Sequence, residues 1–90
     1  MAVNVIIPTP LRNATAGQEN VTAEGSNITE LFANLIAEFP RIGATLYDGE
    51  ALRRSVNVYV NGEDIRFLEN SSTKVKDGDE VSILPAFAGG

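Results

Sequence analysis

One helical stripe limits the folds open to this chain more than any other feature. Ile28, Leu31, Phe32, Leu35, Ile36 and Phe39 recur at i, i+3, i+4, i+7, i+8 and i+11, which puts six apolar side chains on one face of a helix. Asn27 stands where a cap is needed, and Glu30 follows at the spacing of a capping box; Ser26 with Thr29 is a weaker alternative. Pro40 closes the segment, because the residue before a proline avoids the α region. At about 1.5–3 kcal/mol for each fully buried side chain, the stripe is the largest block of core in the sequence. Thr29, Glu30, Asn34 and Glu38 take the wet side. No other segment shows this period. One helix cannot cover both faces of a sheet, so it must lie across a single face.

The flanking segments read as strands. Val3-Asn4-Val5-Ile6-Ile7 is β-branched and puts Val3, Val5 and Ile7 on one side, until Pro8-Thr9-Pro10 stops it. A loop over 11–17, with Gly17 at its turn, leads to the alternating strand Asn20-Val21-Thr22-Ala23-Glu24, and the two strands form a hairpin. After the helix, Ile42, Leu46 and Leu52 pack beneath a loose stretch that holds an Asp48-Gly49 turn and the basic pair Arg53-Arg54, read as a solvated edge. Val56-Asn57-Val58-Tyr59-Val60 alternates strictly, valines inward, and Asn61-Gly62 turns the chain. Ile65, Phe67 and Leu68 are expected as core fillers. Thr73-Lys74-Val75 is expected as a short strand, Lys76-Asp77-Gly78-Asp79 as a turn and Val81-Ser82-Ile83-Leu84 as the final strand. The predicted fold class is α+β: a mixed sheet of four to five strands with one main helix on one face.

Composition then removes whole classes of function. Ninety residues make one domain. A net charge of -5 argues against nucleic acid, which is bound through Lys and Arg on phosphates, and suits a partner with a basic face. There is no cysteine and no histidine, so disulfides, thiol nucleophiles, persulfides and Cys/His zinc sites are excluded, along with the usual general base. The start of the chain lacks a basic, long-apolar leader, and no run is long enough to span a bilayer; a cytoplasmic protein without membrane contact is expected.

The end of the chain is where chemistry remains possible. Pro85 has no amide proton to continue a ladder, so the body is expected over residues 1–84 and a flexible tail over 85–90. The tail reads Pro85-Ala86-Phe87-Ala88-Gly89-Gly90, a thin arm ending in a carboxylate. Such an arm can enter a channel too narrow for side chains. Phe87 on a mobile arm is a candidate docking anchor, since an exposed aromatic is costly unless something receives it.

Other motifs carry less. Asp77-Gly78-Asp79-Glu80 is a fragment of a calcium loop without its twelfth-position ligand, so no metal is expected. Glu63-Asp64 does not converge on one atom, Ser71-Ser72-Thr73 has no base to activate a hydroxyl, and no helix follows Gly89-Gly90 to make a phosphate loop. No enzyme and no cofactor bound by the chain itself are expected.

Hairpin, helix, returning strands and Gly-Gly tail together resemble the β-grasp, or ubiquitin-like, fold. Val56 to Arg66, then Asp77-Gly78-Asp79-Glu80-Val81, Ile83-Leu84-Pro85 and Ala88-Gly89-Gly90 resemble the ThiS/MoaD family of sulfur carriers. The longer segment from Leu46 to Phe67 is most similar to the branch typified by CysO, which serves cysteine biosynthesis. The resemblance implies that an E1-like enzyme adenylates the Gly90 carboxylate with ATP and that a sulfur donor converts it to a thiocarboxylate, with Gly89 keeping the approach slender. It further implies a sulfur-accepting synthase, PLP-dependent in the cysteine branch, and a metalloprotease that trims the product. Phe87, Ala88, Leu84 and Tyr59 are the expected docking residues. Thiamin or molybdopterin sulfur transfer, conjugation of Gly90 to other proteins as a ubiquitin-like modifier, and a plain β-grasp interaction module are the alternatives.

Overall fold

The computed structural model describes residues 2–48, 51–52 and 56–85. Strands β1 (Ala2–Ile6) and β2 (Asn20–Glu24) form the expected antiparallel hairpin, Val3 opposite Ala23 and Val5 opposite Val21. Alternation sets their facing: these four side chains are buried, while Asn20, Thr22 and Glu24 are exposed. The connection differs from the loop expected over 11–17, because Thr9–Thr15 winds into a 3-10 helix. Its proline lies at the start, where a preset φ is favourable. Buried Thr15 fastens the turn by donating its hydroxyl to the Gln18 carbonyl at 2.9 Å.

Helix α1 (Ile28–Glu38) follows the stripe. The Asn27 side chain accepts the Glu30 N–H at 2.8 Å. The Glu30 carboxylate reaches back to Ser26, accepting from its N–H and its hydroxyl, both at 3.0 Å. The return bond of the capping box thus falls one residue before the cap, and it holds the Glu30 carboxyl below its ordinary range. Ile28, Leu31, Phe32 and Leu35 are fully buried; Ile36 and Phe39 pack partly buried on the same core. Pro40 ends the helix as expected and opens a short 3-10 turn into α2 (Gly43–Leu46), which seats Ile42 and Leu46 in the core. Strands β3 (Tyr47–Asp48) and β4 (Ala51–Leu52) pair as a separate ribbon, with Leu52 packed on the core. Gly49 of the expected turn and the pair Arg53-Arg54 lie outside the described residues.

Strand β5 (Val56–Val60) keeps Val56, Val58 and Val60 buried, and Asn61 and Gly62, at φ 50° and 88°, make a two-residue turn into β6 (Glu63–Asp64). Strand β7 (Glu80–Pro85) runs between β1 and β5. The sheet order is β2-β1-β7-β5-β6, with β1 and β7 parallel and the other pairs antiparallel. A five-stranded mixed sheet with its main helix on one face is the ubiquitin-like β-grasp arrangement.

Two further expectations change. Ile65 is buried, but Phe67 is 82% and Leu68 38% exposed, so neither fills the core. Residues Ile65–Phe67 form a 3-10 turn. With three residues per turn, Ile65 and Phe67 point about 120° apart, and only the first faces inward. Thr73-Lys74-Val75 makes a single bridge, Asn27 to Lys74, in place of a strand. It still has a purpose: Ile28 N–H donates to the Thr73 carbonyl and Val75 N–H to the Ser26 carbonyl, both at 3.0 Å, tying the start of α1 to the segment before β7. Among the described residues no helix is long and apolar enough to cross a membrane.

Candidate functional site

Strand β7 carries the chain to the tail, so the site is built outward from it. Val81 and Ile83 point into the core, which forces Ser82 and Leu84 onto the opposite face. Pairing brings Asn57 opposite Leu84 and Tyr59 opposite Ser82 on β5, and Ile6 opposite Ser82 on β1. Directly opposed side chains in a sheet lie about 4.5–5.5 Å apart at Cβ, so Ile6, Ser82 and Tyr59 form a continuous band with Leu84 diagonal to it. Leu84 is 49% exposed, whereas Ile6, Asn57, Tyr59 and Ser82 are half-buried. The two docking residues read from this region, Tyr59 and Leu84, therefore share one face, away from α1. Pro85, opposite Val56, is the last residue of the strand, so β7 runs one residue past the expected end at Leu84; a proline lacks only the amide proton and can still close a ladder at its final position. Phe87, Ala88, Gly89 and Gly90 lie outside the described residues.

Sequence reasoning passed over two parts of this face. Ile6 had a legible signal, since placing Val3, Val5 and Ile7 inward sends Ile6 outward by parity. Arg66 had none. From the turn after β6 it donates through Nη2 to the Val56 carbonyl at 3.3 Å and, in a short bond, to Oδ1 of Asn57. Strand β6 ends at Asp64, so the guanidinium occupies the stretch of β5 edge that β6 leaves uncovered.

The other end of β7 is fixed by a polar network. Asn61 donates from Nδ2 to Oδ1 of Asp79 at 3.1 Å and accepts at Oδ1 from the Glu80 N–H at 3.0 Å. Asp79 Oδ2 accepts the Lys76 N–H at 2.9 Å, and Lys76 Nζ lies 3.5 Å from Oδ1. The Asn61 bond is the main reason the Asp79 carboxyl sits below its ordinary range; burial opposes it, and Lys76 assists. Asp77 Oδ1 accepts the Ala2 N–H at 3.0 Å, and Gly78, at φ 88°, donates its N–H to the Ala2 carbonyl. The acidic turn thus directs its carboxylates at protein donors. Among the described residues no group of three or more acidic side chains is arranged to hold a metal ion. Asp64 likewise accepts the Arg66 N–H at 2.8 Å, a turn contact rather than half of an acid/base pair.

The arrangement is a strand hydrogen-bonded in place at its start and open along one face.

Known proteins share this form. The model of the ThiS family matches residues 5–90. The sulfur carrier protein CysO of Mycobacterium tuberculosis is 45% identical over 93 residues, with 100% of both chains covered. A chain of the crystal structure of the Amycolatopsis orientalis BexX/CysO complex superposes with a TM-score of 0.92 at 46% identity, covering 99% of this chain and 100% of that one. The solution structure of small archaeal modifier protein 1 from Methanosarcina acetivorans gives 0.86 at 31% identity, over 99% and 96% of the two chains.

Proposed function

The chain belongs to the ThiS family, and on that premise we propose that it is a sulfur carrier whose C-terminal glycine carboxylate is converted to a thiocarboxylate. The observation that carries the reading is full-length identity of 45% to a sulfur carrier protein, with 100% of both chains covered. The chemistry of the chain supports it. Without cysteine, sulfur cannot travel as a persulfide, and a terminal thiocarboxylate is the covalent carrier left.

A carboxylate is a poor electrophile. The Gly90 carboxylate attacks the α-phosphorus of ATP and pyrophosphate leaves. The resulting acyl adenylate has AMP as its leaving group, and a sulfur donor displaces it. ATP and the catalytic groups belong to an E1-like enzyme; this chain is the co-substrate. The body holds the platform out to Pro85, the last residue of β7, and the tail beyond it enters the enzyme. Gly89 keeps the arm slender, Ala88 and Phe87 seat it, and Leu84 with Tyr59 dock the sheet face. Sulfur passes next to cysteine synthesis in the cytoplasm, through a PLP-dependent synthase on which the thiocarboxylate sulfur displaces the leaving group of an activated serine derivative, after which the acyl group moves from sulfur to the new amine. A metalloprotease then releases the cysteine. The BexX/CysO complex shows a relative assembled with a partner protein.

Intact mass of the protein recovered from its own host tests the reading. A species heavier by the difference between sulfur and oxygen, lost on mild hydrolysis, is expected; one heavier by a cysteine residue marks the cysteine route. The likeness to a small archaeal modifier at 31% identity favours a second reading, conjugation of Gly90 to other proteins. Only unmodified mass together with ladders of larger conjugates would replace the carrier reading by that one.

A further inference from the structure

Asn61 precedes Gly62, and no other asparagine of the chain precedes a glycine. That pair has a chemistry of its own. The backbone nitrogen after an asparagine can attack the side-chain carboxamide carbon, and glycine, with no Cβ, obstructs the attack least. Asn61 and Gly62 are exposed, so water and base reach both. Yet the carboxamide is turned toward β7 and held at both ends. Its Oδ1 accepts the Glu80 N–H at 3.0 Å and its Nδ2 donates to Oδ1 of Asp79 at 3.1 Å, while the Asn61 N–H donates to the Glu80 carbonyl at 2.8 Å. To meet the Gly62 nitrogen, the carboxamide must release both of its bonds.

We propose that Asn61 is a site of hydrolytic modification, closed while its carboxamide grips the start of β7 and open when that grip is lost. In the open form the Gly62 N–H gives its proton to solvent base, the nitrogen bonds to Cγ of Asn61, and ammonia leaves. The cyclic imide then takes up water and opens at either carbonyl. One product is an aspartyl link; the other is an isoaspartyl link, whose main chain runs through Cβ and Cγ. Water is the only co-reactant, and nothing is oxidised or reduced. The proposal does not depend on the carrier reading.

Neither product restores the grip. The aspartyl form has no N–H to donate, and it sets a negative oxygen where Nδ2 stood, 3.1 Å from Oδ1 of Asp79, a residue only 7% exposed. Two carboxylates at that range repel. The isoaspartyl form lengthens the main chain of a two-residue turn, and the pairing of Val60 with Glu63 that the turn sets is lost. A molecule that opens here and reacts is therefore left with a loosened start to β7.

The test uses the full chain. Wild type is kept at mildly alkaline pH, folded in buffer and unfolded in concentrated denaturant, and followed by intact mass and peptide mapping. A gain at Asn61 equal to the difference between a hydroxyl and an amino group is expected about tenfold or more slowly in the folded protein. Asp79→Ala removes the acceptor of Nδ2. It is expected to react faster than wild type brought to the same stability with denaturant, because the carboxamide is freed without unfolding. Asn61→Asp reproduces the aspartyl product and is expected to lower the thermal midpoint by about 5–20 °C. Asn61→Asp combined with Asp79→Asn exchanges donor and acceptor and is expected to regain most of that loss. Equal rates in folded and unfolded wild type would overturn the proposal. So would equal rates for Asp79→Ala and stability-matched wild type, since global opening would then be the gate. An unchanged midpoint in Asn61→Asp, or a double variant no more stable than the single one, would overturn it as well.

Discussion

Removing the Asp79 carboxylate is expected to loosen the start of the strand that bears the tail. In Asp79→Ala two donors lose a charged acceptor: Nδ2 of Asn61, at 3.1 Å, and the backbone N–H of Lys76, at 2.9 Å. Hydrogen bonds to charged groups contribute about 1.5–3 kcal/mol each, and water can reach part of a surface turn, so the expected loss is about 2–4 kcal/mol. The Lys76 ammonium pair adds little, because that side chain is 79% exposed. A domain of this size has a stability of about 5–13 kcal/mol, and the thermal midpoint should fall by about 10–25 °C. Asp79→Asn separates charge from shape: it keeps an acceptor and should lose about half as much. The pH dependence follows from linkage. The folded carboxyl titrates below its ordinary 3.8. Its stabilisation is therefore complete above that value and disappears as pH falls through the folded pKa. Urea unfolding of wild type and Asp79→Asn at pH 7, and in steps below 3.8, reads both effects. The gap should be widest at pH 7 and close in acid. An Asp79→Ala protein within about 0.5 kcal/mol of wild type at pH 7, inside the ordinary range for surface changes, or a gap flat in pH, would refute the argument.

The remaining predictions concern packing and the arm. Phe32→Ala, at a fully buried site, should cost about 3–5 kcal/mol, and a denaturant midpoint near wild type would contradict its place in the core. Gly25→Ala should cost about 1–3 kcal/mol or more, because its Cβ would lie 2.5 Å from the Leu31 nitrogen and 2.7 Å from the Leu31 Cα, backbone atoms that cannot step aside. At Gly62 nothing lies within 4 Å of a built Cβ, so Gly62→Ala should cost only the strain of φ 88°, about 1–2 kcal/mol, and a loss there well above about 2 kcal/mol would contradict open space at that Cβ. Gly89→Val, or one residue added after Gly90, should leave thermal unfolding unchanged and abolish adenylation, since an added residue moves the carboxylate by about 3.5 Å. Adenylation of the untrimmed extended protein at the wild-type rate would sink the arm reading.

What the sequence disclosed depended on how local the determining physics is. Helix α1 was legible because its stripe, cap and terminating proline agree within one segment. Strands β1, β2 and β5 were legible because strict alternation has one meaning when a single face is buried. The Asn61-Gly62 turn announced its type through the residues that tolerate positive φ. Phe67 misled, because hydrophobicity says that a side chain would gain by burial, while the 3-10 turn that aims it outward depends on Asp64 and on Ile65 finding the core first. The 3-10 helix at Thr9–Thr15 was hidden for a similar reason: prolines read as breakers there, yet one of them starts the helix. The sheet face of the site was half legible. Parity placed Tyr59 and Leu84 outward, but their meeting with Ile6 and Arg66 depends on strand order, which no short window contains.

The parallel pairing of β1 with β7 has a consequence for how the molecule comes into being. The bond from the Ala2 N–H to Asp77, just before β7, closes a separation of 75 residues. Contacts so far apart in sequence form late, because loop closure must precede any gain from them. During synthesis the first hairpin and the helix emerge early, yet the slot between β1 and β5 stays empty until β7 has been made. The strand that carries the arm is therefore also the closing piece of the sheet. Until β7 is in place, the face that brings Tyr59, Ser82 and Leu84 together does not exist.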